Sequence, residues 1–142
     1  MIWDEVDLQE ATWTIPGERM KAGEPHRVPL SRRALTILDE AGSLSSEHGL
    51  VFPAPRSGGV LSDMAFTQLL RRLKFDFVPH GLRSSYRDWA AEETNARHDV
   101  MERALAHTVR NATEAAYFHS DLLELRRPLM ERWSRFLEGG SN

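Results

Sequence analysis

The stretch "VPHGLRSSYRDWAAEE", residues 78–93, predicts the helix around which this chain folds. On a helical wheel of about 100° per residue, its polar and apolar side chains separate to opposite sides. The polar side holds His80, Arg83, Ser84 and Arg87, and the apolar side holds Leu82, Tyr86 and Trp89. Because an amphipathic helix buries its apolar stripe, Tyr86 is predicted to lie in the core, away from His80 and Arg83.

His80 and Arg83 stand at the start of this helix, directly after Pro79. The first turn of a helix has free backbone N–H groups and the positive end of the helix dipole, and both attract anions. The pair therefore fits an anion-binding site. It fits a solvated polar face equally well.

Upstream of this helix, the sequence predicts a β-hairpin. "TWTI" at residues 12–15 alternates and is β-branched, which is typical of a strand, and "HRVPL" at residues 26–30 is predicted as a second strand. The connection between them, "PGERMKAGEP", contains glycine and proline on both sides of Lys21. Such a connection reverses the chain, so Lys21 is expected near the tip of the hairpin.

The remaining periodicity is mainly helical. Further helices are predicted over residues 32–41, 63–73, 98–107, 113–118 and from about 121 onward, with an extended segment at 50–54. Ser31 and Ser62 are expected to cap the first two of these helices, and Pro128 to kink or restart the last. The predicted fold is one α+β domain over residues 1–142, mainly α with a small antiparallel β-hairpin sheet.

The composition excludes several classes of protein. The 142 residues carry a net charge of −3 and contain no cysteine, which suits a cytoplasmic protein without disulfides. The acidic start lacks the apolar region of a signal peptide, and no apolar run is long enough to span a membrane. Two basic islands, residues 19–33 and 71–87, fit one positive face for a nucleic acid. Of the 18 cations, 16 are arginine, and this excess, taken alone, favours an explanation by the base composition of the gene.

Common hydrolase signatures are absent from the sequence. The six histidines form no H-x-x-x-H pair and no His-Glu motif, so no metal site is predicted. The nucleophile pattern G-x-S-x-G is missing, and "PRSGGVLS" at residues 55–62 lacks the end of a phosphate-binding loop.

Two polar residues in the second half of the chain remain open to two interpretations. His107 ends a predicted helix in "RALAHTV", where it is either a favourable C-terminal charge or a ligand. Tyr117, the second of only two tyrosines, lies in "ATEAAYFHSD" between two predicted helices. It either reaches a cleft or packs beside Phe118.

The ordered set of these residues resembles the tyrosine recombinases, and in particular the integrases of bacterial prophages and genomic islands. The set is a hairpin cation, His-x-x-Arg at a helix start, Ala-His, and a tyrosine ten residues later. The matching stretches are "WTIPGERMKAGEPHRVPLS", "HGLRSSYRDWAAEET" and "ALAHTVRNATEAAYFHSDLLELRRPLMERW".

The resemblance implies a role for each matching residue. Tyr117 matches the nucleophile that forms a 3′-phosphotyrosyl link to DNA. Arg83 matches the residue that holds the scissile phosphate, and His80 the residue that assists proton transfer. His107 matches the contact to a non-bridging phosphate oxygen, and Lys21 the acid that protonates the leaving 5′ oxygen.

The resemblance also implies the partners of the chain. They are double-stranded DNA attachment sites and other integrase protomers, which form a tetrameric synapse in the full-length family. No cofactor and no membrane are expected. Arg19 and Arg27 in the first basic island and Arg87 in the second are the candidate DNA-binding residues.

The sequence departs from the family pattern at its start. The family has a further catalytic arginine in a Gly-x-Arg-x-x-Glu-like helix, just before a Trp–Asp segment. This chain begins at that segment, "MIWDEVD", so it is expected to lack that arginine and the N-terminal core-binding domain. Such a fragment should cleave DNA poorly alone and leave apolar surface near Trp3 and Trp13. The alternative is a non-catalytic remnant that binds only DNA or an intact integrase.

Overall fold

The sheet of this protein has three short antiparallel strands. In the computed structural model, which describes residues 1–43, 49–107 and 120–140, the strands are β1 (Val6–Asp7), β2 (Thr12–Ile15) and β3 (His26–Pro29), in the order β1-β2-β3. β2 and β3 pair as the sequence predicts, with Trp13 opposite Val28. β1 was not predicted, because two residues carry no period of their own and depend on pairing with β2.

The turn between β2 and β3 depends on two glycines. A Cβ atom at Gly17 would lie 2.2 Å from the carbonyl oxygen of Gly23, a separation that no side chain tolerates. Gly23 itself has φ +74°, a left-handed conformation that favours glycine. Lys21 lies between these glycines and is exposed to solvent, at the hairpin tip where the sequence predicts it.

The described residues contain five α-helices. They are α1 (Arg32–Gly42), α2 (Ala65–Arg72), α3 (Gly81–Glu92), α4 (His98–Ala104) and α5 (Leu123–Leu137). The fold class is therefore mainly α with a small antiparallel sheet, as predicted. The helix predicted over residues 113–118 falls outside the described residues.

Of the two predicted serine N-caps, the one for α1 is confirmed and the one for α2 is wrong. Ser31 caps α1, because its hydroxyl oxygen accepts the N–H of Ala34 at 3.3 Å. The predicted cap at Ser62 is wrong: α2 begins only at residue 65, and Met64 is its N-cap. The carbonyl of Ser62, not its hydroxyl, closes the preceding turn by accepting the N–H of Ala65 at 2.9 Å.

Among the described residues, the core consists of two clusters. The first joins Leu38 and Ala41 of α1 to Val51, with Trp3 packed against them. The second joins α3, α4 and α5 through the buried side chains of Tyr86, Trp89, Ala90, Val100, Leu105 and Leu129.

Tyr86 lies in the second cluster, as predicted. Only 4% of its surface is exposed. Burial raises the pKa of its hydroxyl to about 12. A phenol that is so hard to ionise is a poor nucleophile at neutral pH.

α5 connects the sheet to the helices. It contacts β3, α1, α3 and α4. It begins at residue 123 and runs unbroken through Pro128, so the predicted restart is wrong. Pro128 is exposed, and water can therefore satisfy the carbonyl that lacks its N–H partner.

The apolar surface differs from the expectation. Trp3 and Trp13 are half-buried, and the indole N–H of Trp13 donates to Glu5. The large exposed side chains concentrate instead on α2 and its flanks, where Phe66 is 60% and Leu73 is 55% exposed. None of the described helices has the length and apolar character that crossing a membrane requires.

Candidate functional site

The end of α4 is a tight turn that redirects the chain at His107. The predicted helix over 98–107 is three residues too long, because α4 ends at Ala104. Ala106 has φ +54° and donates its N–H to the carbonyl of Arg103 at 3.1 Å. The N–H of His107 donates to the carbonyl of Glu102 at 3.0 Å. These two bonds and the left-handed residue make a Schellman motif, which folds His107 back over the last turn of α4.

This turn places the imidazole of His107 against the carboxylate of Glu102. Nδ1 of His107 lies 2.7 Å from Oε2 of Glu102, and Nε of Arg87 donates to Oε1 at 3.2 Å. The Glu102 side chain is only 17% exposed. This burial favours the neutral acid, but the hydrogen bond with His107 and the charge of Arg87 outweigh it and lower the pKa of Glu102. Glu102 is therefore an anion at neutral pH.

Arg83, from the first turn of α3, reaches the other side of the same imidazole. Its Nη2 donates to the carbonyl of Leu105 at 2.7 Å and lies 2.8 Å from Nε2 of His107. Because a guanidinium group only donates hydrogen bonds, Nε2 must accept. The proton of the neutral imidazole is then on Nδ1, where it is donated to Glu102. Arg83, His107, Glu102 and Arg87 form one chain of contacts, which we call the Arg83 network.

The start of α3 differs from the predicted anion site in one respect. The first three N–H groups of the helix are not free, because residues 81, 82 and 83 donate to the carbonyls of Val78, Pro79 and His80 at 2.9, 3.2 and 3.1 Å. His80 is the N-cap residue and is exposed. The capacity to hold an anion therefore lies in side chains, chiefly that of Arg83, which is also exposed.

Two other predicted catalytic residues, Lys21 and His80, have no side-chain hydrogen bond to Arg83 or His107 within residues 1–43, 49–107 and 120–140. His80 contacts Arg83 through the backbone, where its carbonyl accepts the N–H of Arg83 at 3.1 Å. Tyr117 lies outside the described residues.

The three predicted DNA-binding arginines each have a carboxylate partner. Arg19 pairs with Glu5, Arg27 pairs with Asp121 through two bonds of 2.7 and 2.9 Å, and Arg87 pairs with Glu102. Their side chains are 44%, 50% and 57% exposed. Each can therefore reach a ligand in solution, but its charge is partly offset.

No sequence pattern pointed to Glu102 or Arg126 as functional residues. On a continuous helix Glu102 and His107 would be five positions apart and on different faces, so only the turn at Ala106 brings them together. Arg126 is completely buried, and its Nη1 donates to the carbonyl of Arg27 at 2.7 Å. In the described part of the chain, no group of three or more carboxylates and histidines is placed to hold a metal ion.

Comparison with known proteins adds independent information. The sequence profile described as "Phage integrase family" matches residues 1–124. The chain is 36% identical to the prophage integrase IntA of Escherichia coli K12 and 33% identical to the integrase of enterobacteria phage P4. Each alignment covers 99% of this chain, but only 34% and 36% of the respective relative. No solved structure matches.

The chain thus spans about a third of the length of the curated relatives it matches. Over that third, a family profile and several prophage integrases match the chain. This chain belongs to the phage integrase family.

Proposed function

We propose that the chain carries most of the catalytic centre of a tyrosine-type site-specific recombinase. The reaction is the integration or excision of a mobile element by cleavage and rejoining of DNA strands at double-stranded attachment sites. The hydroxyl oxygen of Tyr117 attacks the scissile phosphorus, and the bond to the 5′ oxygen breaks. The resulting 3′-phosphotyrosyl bond preserves the energy of the phosphodiester for rejoining.

The side chains have distinct roles in this reaction. Arg83 holds the scissile phosphate, and His107 contacts a non-bridging oxygen, so both stabilise the charge that gathers there during attack. Lys21 protonates the leaving 5′ oxygen, and His80 assists the transfer of the proton from Tyr117. Arg19, Arg27 and Arg87 contact the DNA backbone once phosphates compete with their carboxylate partners.

One observation carries the proposal. Arg83 and His107 are 24 residues apart in the sequence, yet their side chains meet at 2.8 Å. The resemblance assigns both residues to the same phosphate. Their contact supports that assignment, because one phosphate can touch both groups only if they lie within a few ångströms of each other.

A chimera tests the proposal, because the chain matches only part of its relatives. In the chimera, this chain replaces the matching 34% of the E. coli integrase IntA. The chimera is mixed with a nicked duplex that carries the attachment sequence of IntA. Covalent protein–DNA product is then measured on a denaturing gel.

Tyr117→Phe should abolish the covalent product, because it removes the attacking oxygen. Tyr86→Phe is the matched control, since Tyr86 is buried and its hydroxyl has no hydrogen-bond partner among the described residues. Product formation should survive in this control. Covalent product that persists in Tyr117→Phe would refute the assignment of the nucleophile.

The second candidate function is binding without catalysis. In this role the chain binds DNA or an intact integrase protomer. The exposed apolar side chains of α2 and its flanks favour it, because patches of this kind often mark protein contacts. In the same experiment this function predicts salt-dependent duplex binding with no covalent product, even when Tyr117 is intact.

A further inference from the structure

We propose that Glu102 is a positioning residue that holds the imidazole of His107 in its Nδ1–H tautomer, with Nε2 directed at Arg83 and at the phosphate bound there. The role toward the phosphate rests on the proposed function. The tautomer and the orientation of the ring rest on the geometry of the free protein alone.

Glu102 binds His107 through both its side chain and its backbone, and its carboxylate is itself held in place by other residues. Its carboxylate accepts from Nδ1 at 2.7 Å, and its own backbone carbonyl accepts the N–H of His107 at 3.0 Å. The second carboxylate oxygen is tethered by Arg87 of α3 at 3.2 Å, and His98 lies 3.9 Å from it, one turn earlier on α4. The carboxylate is therefore fixed on both sides before it meets the imidazole.

The opposite tautomer would break the contacts of this site. With the proton on Nε2, the ring would point an N–H at the guanidinium of Arg83, which has no acceptor. Nδ1 would then point a lone pair at the carboxylate of Glu102. Both contacts would become repulsive. Arg83 and Glu102 together therefore favour the Nδ1–H tautomer of neutral His107 over the Nε2–H tautomer.

This arrangement serves phosphate binding in two ways. When Arg83 turns from Nε2 to a phosphate oxygen, Nε2 becomes free to take up a proton and donate to the same phosphate. The anionic Glu102 stabilises the imidazolium ion that results, as the orienting carboxylate does in other His–carboxylate pairs. Throughout, the hydrogen bond to Nδ1 keeps the ring in place.

The first test uses the chain as it is, without DNA. Nitrogen NMR of histidine-labelled protein reports which ring nitrogen of His107 carries the proton, at a pH where the ring is neutral. We expect the Nδ1–H form in the wild type, a mixture of forms in Glu102→Ala, and retention of Nδ1–H in Glu102→Gln, whose amide oxygen still accepts. Asp99→Asn is the matched control, because Asp99 lies on the same helix and pairs with Arg97.

Either of two NMR results would overturn the inference. One is a wild-type His107 that is mainly Nε2–H. The other is an unchanged tautomer ratio in Glu102→Ala, provided that the variant unfolds cooperatively on heating as the wild type does.

The second test uses the chimera described above. Glu102→Ala should slow covalent product formation by about 10- to 100-fold, the usual effect of losing an orienting partner, while duplex affinity stays within about twofold. Glu102→Gln should recover much of the rate. Equal losses of rate and affinity in both variants would contradict a positioning role. The two proposals fail separately, because product that persists in Tyr117→Phe refutes the mechanism and leaves the NMR result standing.

Discussion

At the scale of single residues, the site depends on one alanine in an unfavourable conformation. Ala106 adopts φ +54°, which costs an L-residue with a Cβ about 1–2 kcal/mol. Glycine is the usual residue at this position of a Schellman motif, because it has no Cβ. This cost is offset by the contacts that the motif allows, because the turn at Ala106 places His107 within hydrogen-bonding distance of Glu102 and Arg83.

Ala106→Gly should therefore stabilise the protein. The left-handed conformation no longer carries a penalty, so we expect the free energy of unfolding to rise by about 0.5–1 kcal/mol. Urea unfolding followed by circular dichroism measures the change. Ala104→Gly, two residues earlier at the last position of α4, is the matched control and should lower the free energy of unfolding, by at most the roughly 1 kcal/mol that glycine costs in a helix interior. Changes of the same sign in both variants would contradict the account of Ala106.

Glu102 is a residue of the site that the sequence did not predict, and the reason lies in the position of a helix end. Arg83 and His107 stand in sequence patterns that resemble a known family, so they could be named in advance. The importance of Glu102 depends on where α4 ends, and helix ends are the least certain part of any sequence pattern. A period of 3.6 residues continues plausibly to His107, and only the backbone of Ala106 interrupts it.

At the scale of elements, α5 is held to the sheet by a row of polar contacts. Arg126 donates to the carbonyl of Arg27 on β3 at 2.7 Å, and Arg127 donates to the carbonyl of Ala11 at 3.2 Å and to Oγ1 of Thr12 at 3.3 Å. Glu131 accepts the N–H of Arg32 at 3.0 Å. The helix is thereby docked across both the hairpin and the start of α1.

Arg126→Ala should be strongly destabilising. The side chain is completely buried, and burial lowers the pKa of its guanidinium. Its removal leaves a cavity and an unpaired carbonyl at Arg27, so the expected loss is about 2–4 kcal/mol. Arg127→Ala is the control at the neighbouring, less buried position, with an expected loss of about 1 kcal/mol. Thermal unfolding of both variants shows which loss of stability is larger. A smaller loss in Arg126→Ala than in Arg127→Ala would refute the prediction.

The elements themselves were predictable where local signals were strong. β2 and β3 have β-branched residues between glycine and proline turns, and α1 has a true serine cap. The sequence predicts the start of α2 two residues too early, because a serine before a helix can close a turn with its carbonyl as well as with its hydroxyl. The restart predicted at Pro128 is absent, because packing against β3, α1, α3 and α4 holds α5 in place without a bond from that residue.

At the scale of the whole molecule, ionisable groups set the pH range of stability. The carboxyl groups of Glu5, Glu102 and Asp121 have lowered pKa values: partial burial opposes ionisation in each, but hydrogen bonds and arginine charges outweigh it. Burial, together with the charge of Arg126, lowers the pKa of His26 below 6.5. Burial raises the pKa of Tyr86 to about 12.

These shifts predict a plateau of stability between about pH 7 and pH 10. Below pH 6.5 the unfolded chain protonates His26 before the folded protein does, so the free energy of unfolding starts to fall. It falls further below about pH 4.5, because the three carboxyl groups with lowered pKa values take up protons in the unfolded chain before they do so in the folded protein. Above pH 10 the unfolded chain ionises Tyr86 first, and stability declines until the folded hydroxyl ionises near pH 12.

Two variants distinguish the acid decline in stability from the alkaline decline. The free energy of unfolding is measured by urea unfolding at a series of pH values. Tyr86→Phe should remove most of the alkaline decline and leave the acid limb unchanged, because only the ionisable hydroxyl is lost. His26→Gln should delay the acid decline from just below pH 6.5 to the range where carboxyl groups titrate. If stability instead rose as the pH fell from 6.5 to 5, His26 would bind its proton more tightly in the folded protein. The sign of its pKa shift, and with it the account of its burial beside Arg126, would then be wrong.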